Sequence, residues 1–248
     1  MTRKTLLLYT AVWKKILNLA PKLKENLIEI MSDFETAIQK SITNSISKEI
    51  TVKACWFHFC QALLRYWKKL GLIRKKAPKT VLWMVMNLAL APDTRFSEGL
   101  ELIEKVCKDD IQNFKDIKTF LDYVKNQWIP LASVLCVCDC SQRTNNAVES
   151  FHKNAFDELG GNHPHMYAFL TKMAAYIASE DLQYLRVLKG YSIRRRESKT
   201  SITNDAHILY CQKELIDKKI DLEEFLKTVV TREHQNQLKD LLEITGMR

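Results

Sequence analysis

The chain has 248 residues, and 46% of them are hydrophobic, which suits one large globular domain or two small ones. No apolar run reaches the length of a membrane-spanning helix, and the N-terminus lacks the small-residue cleavage site of a signal peptide. The seven cysteines occur without a secretion signal, which favours free or metal-bound thiols in a reducing compartment over a disulfide framework.

The net charge of +9 is concentrated in the N-terminal third of the chain. Residues 1–80 hold 16 lysines and arginines against 5 acidic residues, whereas residues 81–248 hold 22 against 24. Such an asymmetry is typical of a protein that binds a polyanion such as nucleic acid. A solvated basic face that keeps the protein soluble would produce the same count, so charge alone leaves both interpretations open.

The chain begins with a predicted helix, a strand and a second helix. Apolar residues at helical spacing indicate a helix over residues 5–19, and Pro21 stops it. The alternating segment NLIEIMSD, residues 26–33, indicates a strand. Ser32 or Asp33 is then expected to cap the next helix, DFETAIQKSI.

A second strand and a long helical region follow. Alternation with β-branched residues predicts a strand over residues 49–57, and the amphipathic helix after it is expected to end at Gly71. Residues 80–130 contain three helical patterns and no strand pattern, and a further helix is predicted over residues 163–182. The polar linker SIRRRESKTS leads into a helical tail, and its arginines at 194–196 are interpreted as solvated linker rather than a nuclear-localisation signal.

The predicted order of elements is therefore helix, strand, helix, strand, helix and then a long all-helical stretch. Two strands alone cannot make a stable sheet. We expect an α/β protein, mostly helical, in which the two strands belong to a larger sheet.

Asp33 stands at the C-terminal end of the first predicted strand. Open α/β sheets place their functional sites at that edge. A carboxylate there can hold a hard divalent cation, and it can also cap the helix that follows. Position alone favours the cap.

Cysteine and histidine residues occur together where the second strand gives way to a helix. The segment CWFHFC, residues 55–60, puts Cys55 and His58 three residues apart, and CVCDC, residues 136–140, offers three more thiols. The spacing is not that of a zinc finger, and buried cysteines are more often small hydrophobic residues. We therefore expect no structural zinc site, and we interpret His58 as a hydrogen-bonded partner close to a functional site.

The densest group of polar side chains is RTNNAVESFH, residues 143–152. On a helix, Asn145, Glu149 and His152 fall along one face. If that face meets the sheet edge that bears Asp33, two carboxylates converge on one point. Paired carboxylates that bind two Mg²⁺ ions are what phosphodiester cleavage and strand transfer need.

Five segments together resemble the transposase domain of Mutator-like elements, the MULE transposase family. In the family's order they are MTRKTLLLYTAV, IMSDFETAI, CWFHFCQALLRYWKKLGL, RTNNAVESFH and HPHMYAFL, and they cover most of residues 1–182. The resemblance implies a partial RNase H-like core of the DDE transposase type, with a helical insertion and a helical C-terminal tail. It also implies a site that uses Mg²⁺ or Mn²⁺ to cut DNA at transposon ends and rejoin it elsewhere.

The resemblance also assigns roles to individual residues. Asp33 matches the second aspartate of the family's triad and Glu149 matches the closing glutamate, so both are the expected catalytic residues and metal ligands. Cys55 and His58 match the family's Cys-x-x-His motif, which lies close to the site. The other expected supporting residues are Arg143, Asn145, Asn146 and His152.

The family's first catalytic aspartate lies on the first strand of its core, upstream of the segment that resembles MTRKT, where this chain begins. We therefore expect an N-terminally truncated transposase that is inactive alone. On this interpretation, residues 1–70 form a partial core that lacks the first strands, and residues 71–135 form the helical insertion. Residues 136–190 complete the core with the acidic helix, and residues 191–248 form a helical tail of unknown role.

A second interpretation is a non-catalytic module, retained from such an ancestor, that binds nucleic acid or protein. It would use a basic segment to contact phosphates without reading sequence. We define this basic segment as Lys68, Lys69, Arg74, Lys75, Lys76 and Lys79. A third interpretation, an unrelated helical scaffold, is disfavoured by the joint order of the motifs. The resemblance further implies a nuclear protein without a membrane anchor, and it leaves a homo-oligomer open.

Overall fold

The structure is a computed structural model that describes residues 5–47, 49–140, 142–192, 199–231 and 235–236. The chain divides into two compact units: the first combines residues 1–144 with residues 203–248, and the second is residues 145–202. Helices dominate the described residues, and the two strands found there form one small parallel sheet. A mostly helical protein with a small β component is thus confirmed, and the RNase H-like core stays a prediction.

The first unit contains both strands and most helices. Up to the second strand these elements are α1 (Leu6–Leu19), α2 (Leu23–Asn26), β1 (Glu29–Ser32), α3 (Thr36–Ser45) and β2 (Thr51–Ala54). They continue with α4 (Trp56–Lys69), α5 (Thr80–Leu88), α6 (Phe96–Val106), α7 (Lys108–Asn113), α8 (Lys115–Gln127) and α9 (Ala132–Leu135). The second unit contains α10 (Asn146–Glu158) and α11 (Met166–Leu188). Two further helices follow in the chain, α12 (Lys199–Ile216) and α13 (Leu222–Thr228).

The strands β1 and β2 run parallel, with Glu29 opposite Thr51 and Ser32 opposite Ala54. Both predicted strands are confirmed, but each is shorter than its pattern. The second was expected to reach residue 57, whereas α4 already begins at Trp56. Trp56 and Phe57 at the start of α4 are both buried in the core. On an extended strand these two consecutive side chains would point to opposite faces.

The expected capping of α3 by Ser32 or Asp33 is wrong, because its N-cap is Glu35. Ser32 is held in the sheet, where its carbonyl accepts a hydrogen bond from the Cys55 N–H at 3.0 Å. The Glu35 carbonyl instead accepts from Ile38 N–H at 3.0 Å and so starts the helix. Asp33 is therefore not the cap of this helix.

The end of α4 follows the prediction at Gly71. This residue has φ of 72°, a conformation that glycine adopts without steric cost. Its N–H donates to the Lys68 carbonyl at 2.9 Å, and the Leu72 N–H donates to the Trp67 carbonyl at 3.3 Å. These two hydrogen bonds form a Schellman motif, which satisfies carbonyls that the helix end leaves open.

The main hydrophobic core of the first unit surrounds α5. That helix is apolar on nearly every side, and most of its side chains are buried, as the sequence predicts for a core helix. Its buried polar residue, Asn87, donates from Nδ2 to the Leu226 carbonyl at 2.8 Å. Gln212 of α12 likewise donates to the Leu90 carbonyl at 2.8 Å. Residues of the predicted tail are thus an integral part of this core.

The remaining helical predictions hold with changed boundaries. The three helices expected over residues 80–130 are α5, α6 and α8, and the short α7 joins α6 to α8. The helix expected over residues 163–182 is α11. The expected continuous tail is divided into α12 and α13, because Lys218 has φ of 58° and Asp221 caps a new helix. The arginines at 194–196 lie outside the described residues.

The second unit is a pair of helices without a buried side chain in either. Half-buried residues of α11 recur at helical spacing, as in Phe169, Met173 and Tyr176, and α10 contacts this helix. Many large apolar side chains remain exposed, including Leu170 and Ile177. None of the described helices has the length and apolar character needed to cross a membrane.

Candidate functional site at the sheet edge

Asp33 and His58 meet at the carboxyl edge of the small parallel sheet. Asp33 directly follows β1, Cys55 directly follows β2, and His58 lies in the first turn of α4. Because the strands are parallel and in register, their ends bring these segments side by side. The His58 Nδ1 atom lies 3.0 Å from the Asp33 Oδ1 atom.

This pair carries the clearest electrostatic signal of the predicted site. Hydrogen bonding to Asp33, and secondarily to Cys55, outweighs burial and raises the pKa of His58 to about 10. The carboxylate of Asp33 therefore favours the protonated form of the imidazole. The Asp33 side chain is 51% exposed and that of His58 is 26% exposed, so solvent reaches both partners.

The thiol of Cys55 is the third group at this edge, and it is fully buried. It is the second hydrogen-bonding partner of His58. The neighbouring thiol of Cys60 is also buried, and burial raises its pKa well above the usual value. Buried cysteines of this kind are inert towards solvent, so the arrangement points to positioning of His58 rather than to a cysteine nucleophile.

The loop that carries Asp33 is fixed by groups that the sequence analysis did not single out. Gln39 Nε2 donates to the Asp33 carbonyl at 3.2 Å. The Tyr9 hydroxyl of α1 donates to the Glu35 carboxylate at 2.9 Å. A signal was present in the spacing of Asp33 and Glu35, which places two acids two residues apart at a strand end. The partnership with Tyr9 links residues 26 positions apart and has no local pattern.

Arg143, the first residue of the RTNN segment, lies next to the start of α4. Its carbonyl accepts a hydrogen bond from the Trp56 N–H at 2.9 Å. Its guanidinium is buried and contacts the carboxylate of Asp205 in α12. Arg143 is therefore adjacent to the CWFHFC motif, and its expected role in support of Glu149 stays a prediction.

The other residues of that motif lie on α10 of the second unit. Asn145 is the N-cap of the helix, and the side chains of Asn146, Glu149 and His152 are exposed. The rings of Phe151 and His152 have centroids 6.0 Å apart. The predicted helix is confirmed, and the convergence of Glu149 with Asp33 stays a prediction.

The residues at the sheet edge do not form a metal centre of their own. In the part of the chain that the structure describes, no three histidine, cysteine, aspartate or glutamate side chains are grouped closely enough to hold a metal ion. The edge offers Asp33, and that carboxylate is already paired with a cationic imidazole. A two-metal site needs several oxygen ligands. Mg²⁺ or Mn²⁺ bound by Asp33 and Glu149 therefore stays a prediction.

The cysteines at 136–140 have environments that favour neutral thiols. Cys136 donates from Sγ to the Ala91 carbonyl at 3.3 Å. Burial raises the pKa of Cys138 to about 12 and that of Cys140 to about 11, and nearby carboxylates add to both shifts.

The basic segment covers the end of α4 and the loop to α5, and all six of its residues are exposed. Lys75 contacts the carboxylate of Asp116, and Lys69 lies 5.9 Å from the centre of the Tyr66 ring. Arg65, one turn before Lys69, is also exposed and extends the same surface. Arg65 is not among the residues predicted from the sequence, although its spacing of four residues from Lys69 was a usable signal.

Comparison of the chain with models of known protein families, with curated proteins and with solved structures found no match.

Proposed function

We propose that this chain carries part of a MULE-type transposase core and does not cleave DNA by itself. The observation that carries the proposal is the 3.0 Å pair between Asp33 and His58 at the carboxyl edge of two parallel strands. The two residues come from separate segments, and each was assigned to the site by its own motif. A helix cap would have explained Asp33 without any function, but Glu35 has that position.

The hydrogen bond between Trp56 and Arg143 gives a second, independent support. It joins the segment that contains His58 to the beginning of the segment that contains Glu149. Chance matches in an unrelated helical protein would not be expected to place Arg143 beside the start of α4. The RNase H-like core, the metal ions and the DNA substrate are part of the same proposal.

The expected lack of cleavage follows from the charges at the sheet edge. A divalent cation at Asp33 would compete with His58 for the carboxylate, because the His58 Nδ1 atom lies 3.0 Å from the Asp33 Oδ1 atom. The chain also supplies two matched carboxylates, Asp33 and Glu149, where the family uses three. Binding of two metal ions should therefore be weak.

A metal-binding measurement tests this interpretation of the sheet edge. Mn²⁺ binding is followed by electron paramagnetic resonance for the wild type, for His58→Gln, and for His58→Gln combined with Asp33→Asn. We expect the single variant to bind Mn²⁺ more tightly than the wild type, and the double variant to lose the gain. Equal binding by all three proteins would refute a metal-ligand role for Asp33.

A nicking assay tests the expected lack of activity. A supercoiled plasmid is incubated with Mn²⁺ and the wild type, with Glu149→Gln, or with Glu158→Gln as a matched control on the same helix. We expect no nicking above the protein-free reaction in any case. Nicking by the wild type and the control, but not by Glu149→Gln, would show that the chain is an active nuclease.

A second candidate function is metal-independent binding of nucleic acid by the basic segment. Among the described residues, Lys75 is the one member of the segment with a carboxylate partner within ion-pair distance. The remaining exposed cations are available to phosphates, which contact lysine and arginine without regard to sequence. Binding to duplex DNA that is unchanged by EDTA and weakened steeply by salt would favour this candidate. Transposon-end DNA, a nuclear location and a homo-oligomer rest on the resemblance.

A further inference from the structure

The first unit contains a cavity that is not part of the sheet-edge site and has no role in the candidate functions described above. It lies between the start of α5 and the end of α13, and its volume is about 560 Å³. Cavities of a few hundred cubic ångströms are the usual size of small-molecule sites. Its described lining includes Lys79, Trp83 and Lys227.

The charge of this lining favours an anion. No carboxylate is found among its described lining residues, whereas a second cavity, near the loop between α12 and α13, includes acidic residues such as Glu98 and Asp221. Lys227 is partly neutralised by Glu223, whose carboxylate lies 2.6 Å away. Lys79 is exposed, and among the described residues no carboxylate lies within ion-pair distance of it.

The rest of the lining favours a flat apolar group. Trp83 is half-buried and contributes an indole ring, and the buried side chains of Met84 and Leu226 form the apolar part of the wall. Nucleic-acid bases stack on aromatic side chains without strong sequence preference. The hydroxyl of Thr80 adds a group that can donate or accept a hydrogen bond.

We propose that this cavity binds a nucleoside phosphate, with the base against Trp83 and the phosphate at Lys79. Lys79 is also the last residue of the basic segment. A nucleic-acid strand bound along that segment would therefore reach the mouth of the cavity. A free mononucleotide and a nucleotide within a strand present the same chemistry. The proposal is independent of DNA cleavage. If the ligand is a nucleotide within a nucleic-acid strand, the proposal rests on the second candidate function above.

Calorimetric titration of the full chain with AMP tests the site directly. We expect a Kd below about 1 mM. Trp83→Leu should weaken binding at least about fivefold, because one stacked base commonly contributes that much, while Trp83→Phe should retain most of the affinity. Lys79→Gln should weaken AMP binding, and Lys108→Gln, an equal charge change at an exposed residue outside both the cavity and the basic segment, should leave it unchanged.

A short single-stranded oligothymidylate with a 5′-phosphate distinguishes the two sources of the ligand. If the loss of affinity on Trp83→Leu occurs for AMP alone, the site takes a free nucleotide. If it occurs for the oligonucleotide, the site takes a nucleotide of a strand. If neither ligand depends on Trp83 or Lys79, the proposal is wrong. Oligonucleotide binding that still depends on Lys68 would then leave the second candidate function intact. Thermal melting of each variant checks folding, and Lys79 is exposed, so its substitution keeps the test valid if Trp83→Leu fails to fold.

Discussion

At the scale of single residues, the pair of Asp33 and His58 makes stability depend on pH. The pKa of His58 is raised to about 10 in the folded chain, against about 6.5 for an unperturbed histidine. Because the pKa of His58 is higher in the folded than in the unfolded chain, its protonation adds to the free energy of unfolding. This contribution is complete below about pH 6.5, provided that Asp33 stays ionised, and it is lost as the pH rises through 10.

We therefore expect His58→Gln to destabilise the protein by about 1 kcal/mol at pH 6 and by almost nothing at pH 10.5. This value is that of a hydrogen bond between charged groups, reduced because solvent screens the half-exposed Asp33. Urea unfolding in buffer with EDTA measures the difference at both pH values. The exposed His152→Gln is the control, and a His58→Gln effect of the same size at pH 6 and pH 10.5 would contradict the assignment.

The sequence predicted some of the site residues for physical reasons that the structure makes clear. A carboxylate at the end of a strand and a histidine after the next parallel strand must lie near one edge, and Asp33 and His58 do. The protonation of His58 was not predictable, because it depends on the distance and orientation of the two side chains. The link between Tyr9 and Glu35 was missed because it joins distant parts of the chain.

At the scale of elements, Gly99 sets the close packing of α6. A Cβ atom at this position would overlap the Cδ2 methyl of Leu88 in α5 and would also contact Leu226 of α13. Alanine favours a helix by about 1 kcal/mol over glycine, but overpacking of a core costs about 1 to 3 kcal/mol. We expect Gly99→Ala to lower the free energy of unfolding by about 1 kcal/mol.

Thermal and urea unfolding of Gly99→Ala check this expectation. Ser97→Ala is the matched control, since Ser97 is an exposed residue of the same helix. The control should be neutral or slightly stabilising, because alanine has the higher helix propensity and adds no atom that serine lacks. Stabilisation by Gly99→Ala would mean that α5 and α6 are not packed this closely.

The short helix α13 ties the C-terminal part of the chain to the core. Phe225 is fully buried in the cluster that surrounds α5. Truncation of such a ring leaves a cavity, and we expect Phe225→Ala to cost about 3 to 5 kcal/mol of unfolding free energy. Chemical denaturation gives the value, with the exposed Glu224→Ala as control. A loss below about 1 kcal/mol would show that α13 does not belong to the core.

Helical periodicity predicted most elements, and local patterns failed at their boundaries. The buried character of α5 was readable because an all-apolar helix has to lie inside a protein. The start of α4 was not readable, because Trp56 and Phe57 fit a strand pattern as well as a helix. Burial of both rings on one helical turn decides between them, and only tertiary packing supplies that information.

At the scale of the whole molecule, the two units differ in how their helices are held. The first unit has a continuous buried core. Its helices come from the parts of the chain that precede and follow the second unit in sequence. No side chain of α10 or α11 is buried, and the two helices contact each other. The sequence did not indicate this division, because α10 and α11 also carry large apolar residues at helical spacing, a pattern that predicts packing against a core.

The basic segment allows a prediction about how the binding of duplex DNA by the whole chain depends on salt. Binding of duplex DNA through phosphates releases counterions, and the slope of log Kd against log salt grows by about 0.9 for each phosphate neutralised. Replacement of Lys68, Lys69 and Lys76 by glutamine should therefore lower that slope by about 3. Fluorescence anisotropy with a labelled duplex, measured between about 50 and 200 mM salt, gives the slope.

A second triple variant separates local contacts from net charge. Lys105, Lys108 and Lys125 are exposed, and the structure gives them no ion pair among the described residues. Their replacement by glutamine removes the same charge from a different surface. If binding follows only net charge, both variants lose the same amount of slope. If the basic segment contacts the phosphates, the control retains most of the wild-type slope, because condensed counterions are released only where lysines meet the DNA backbone.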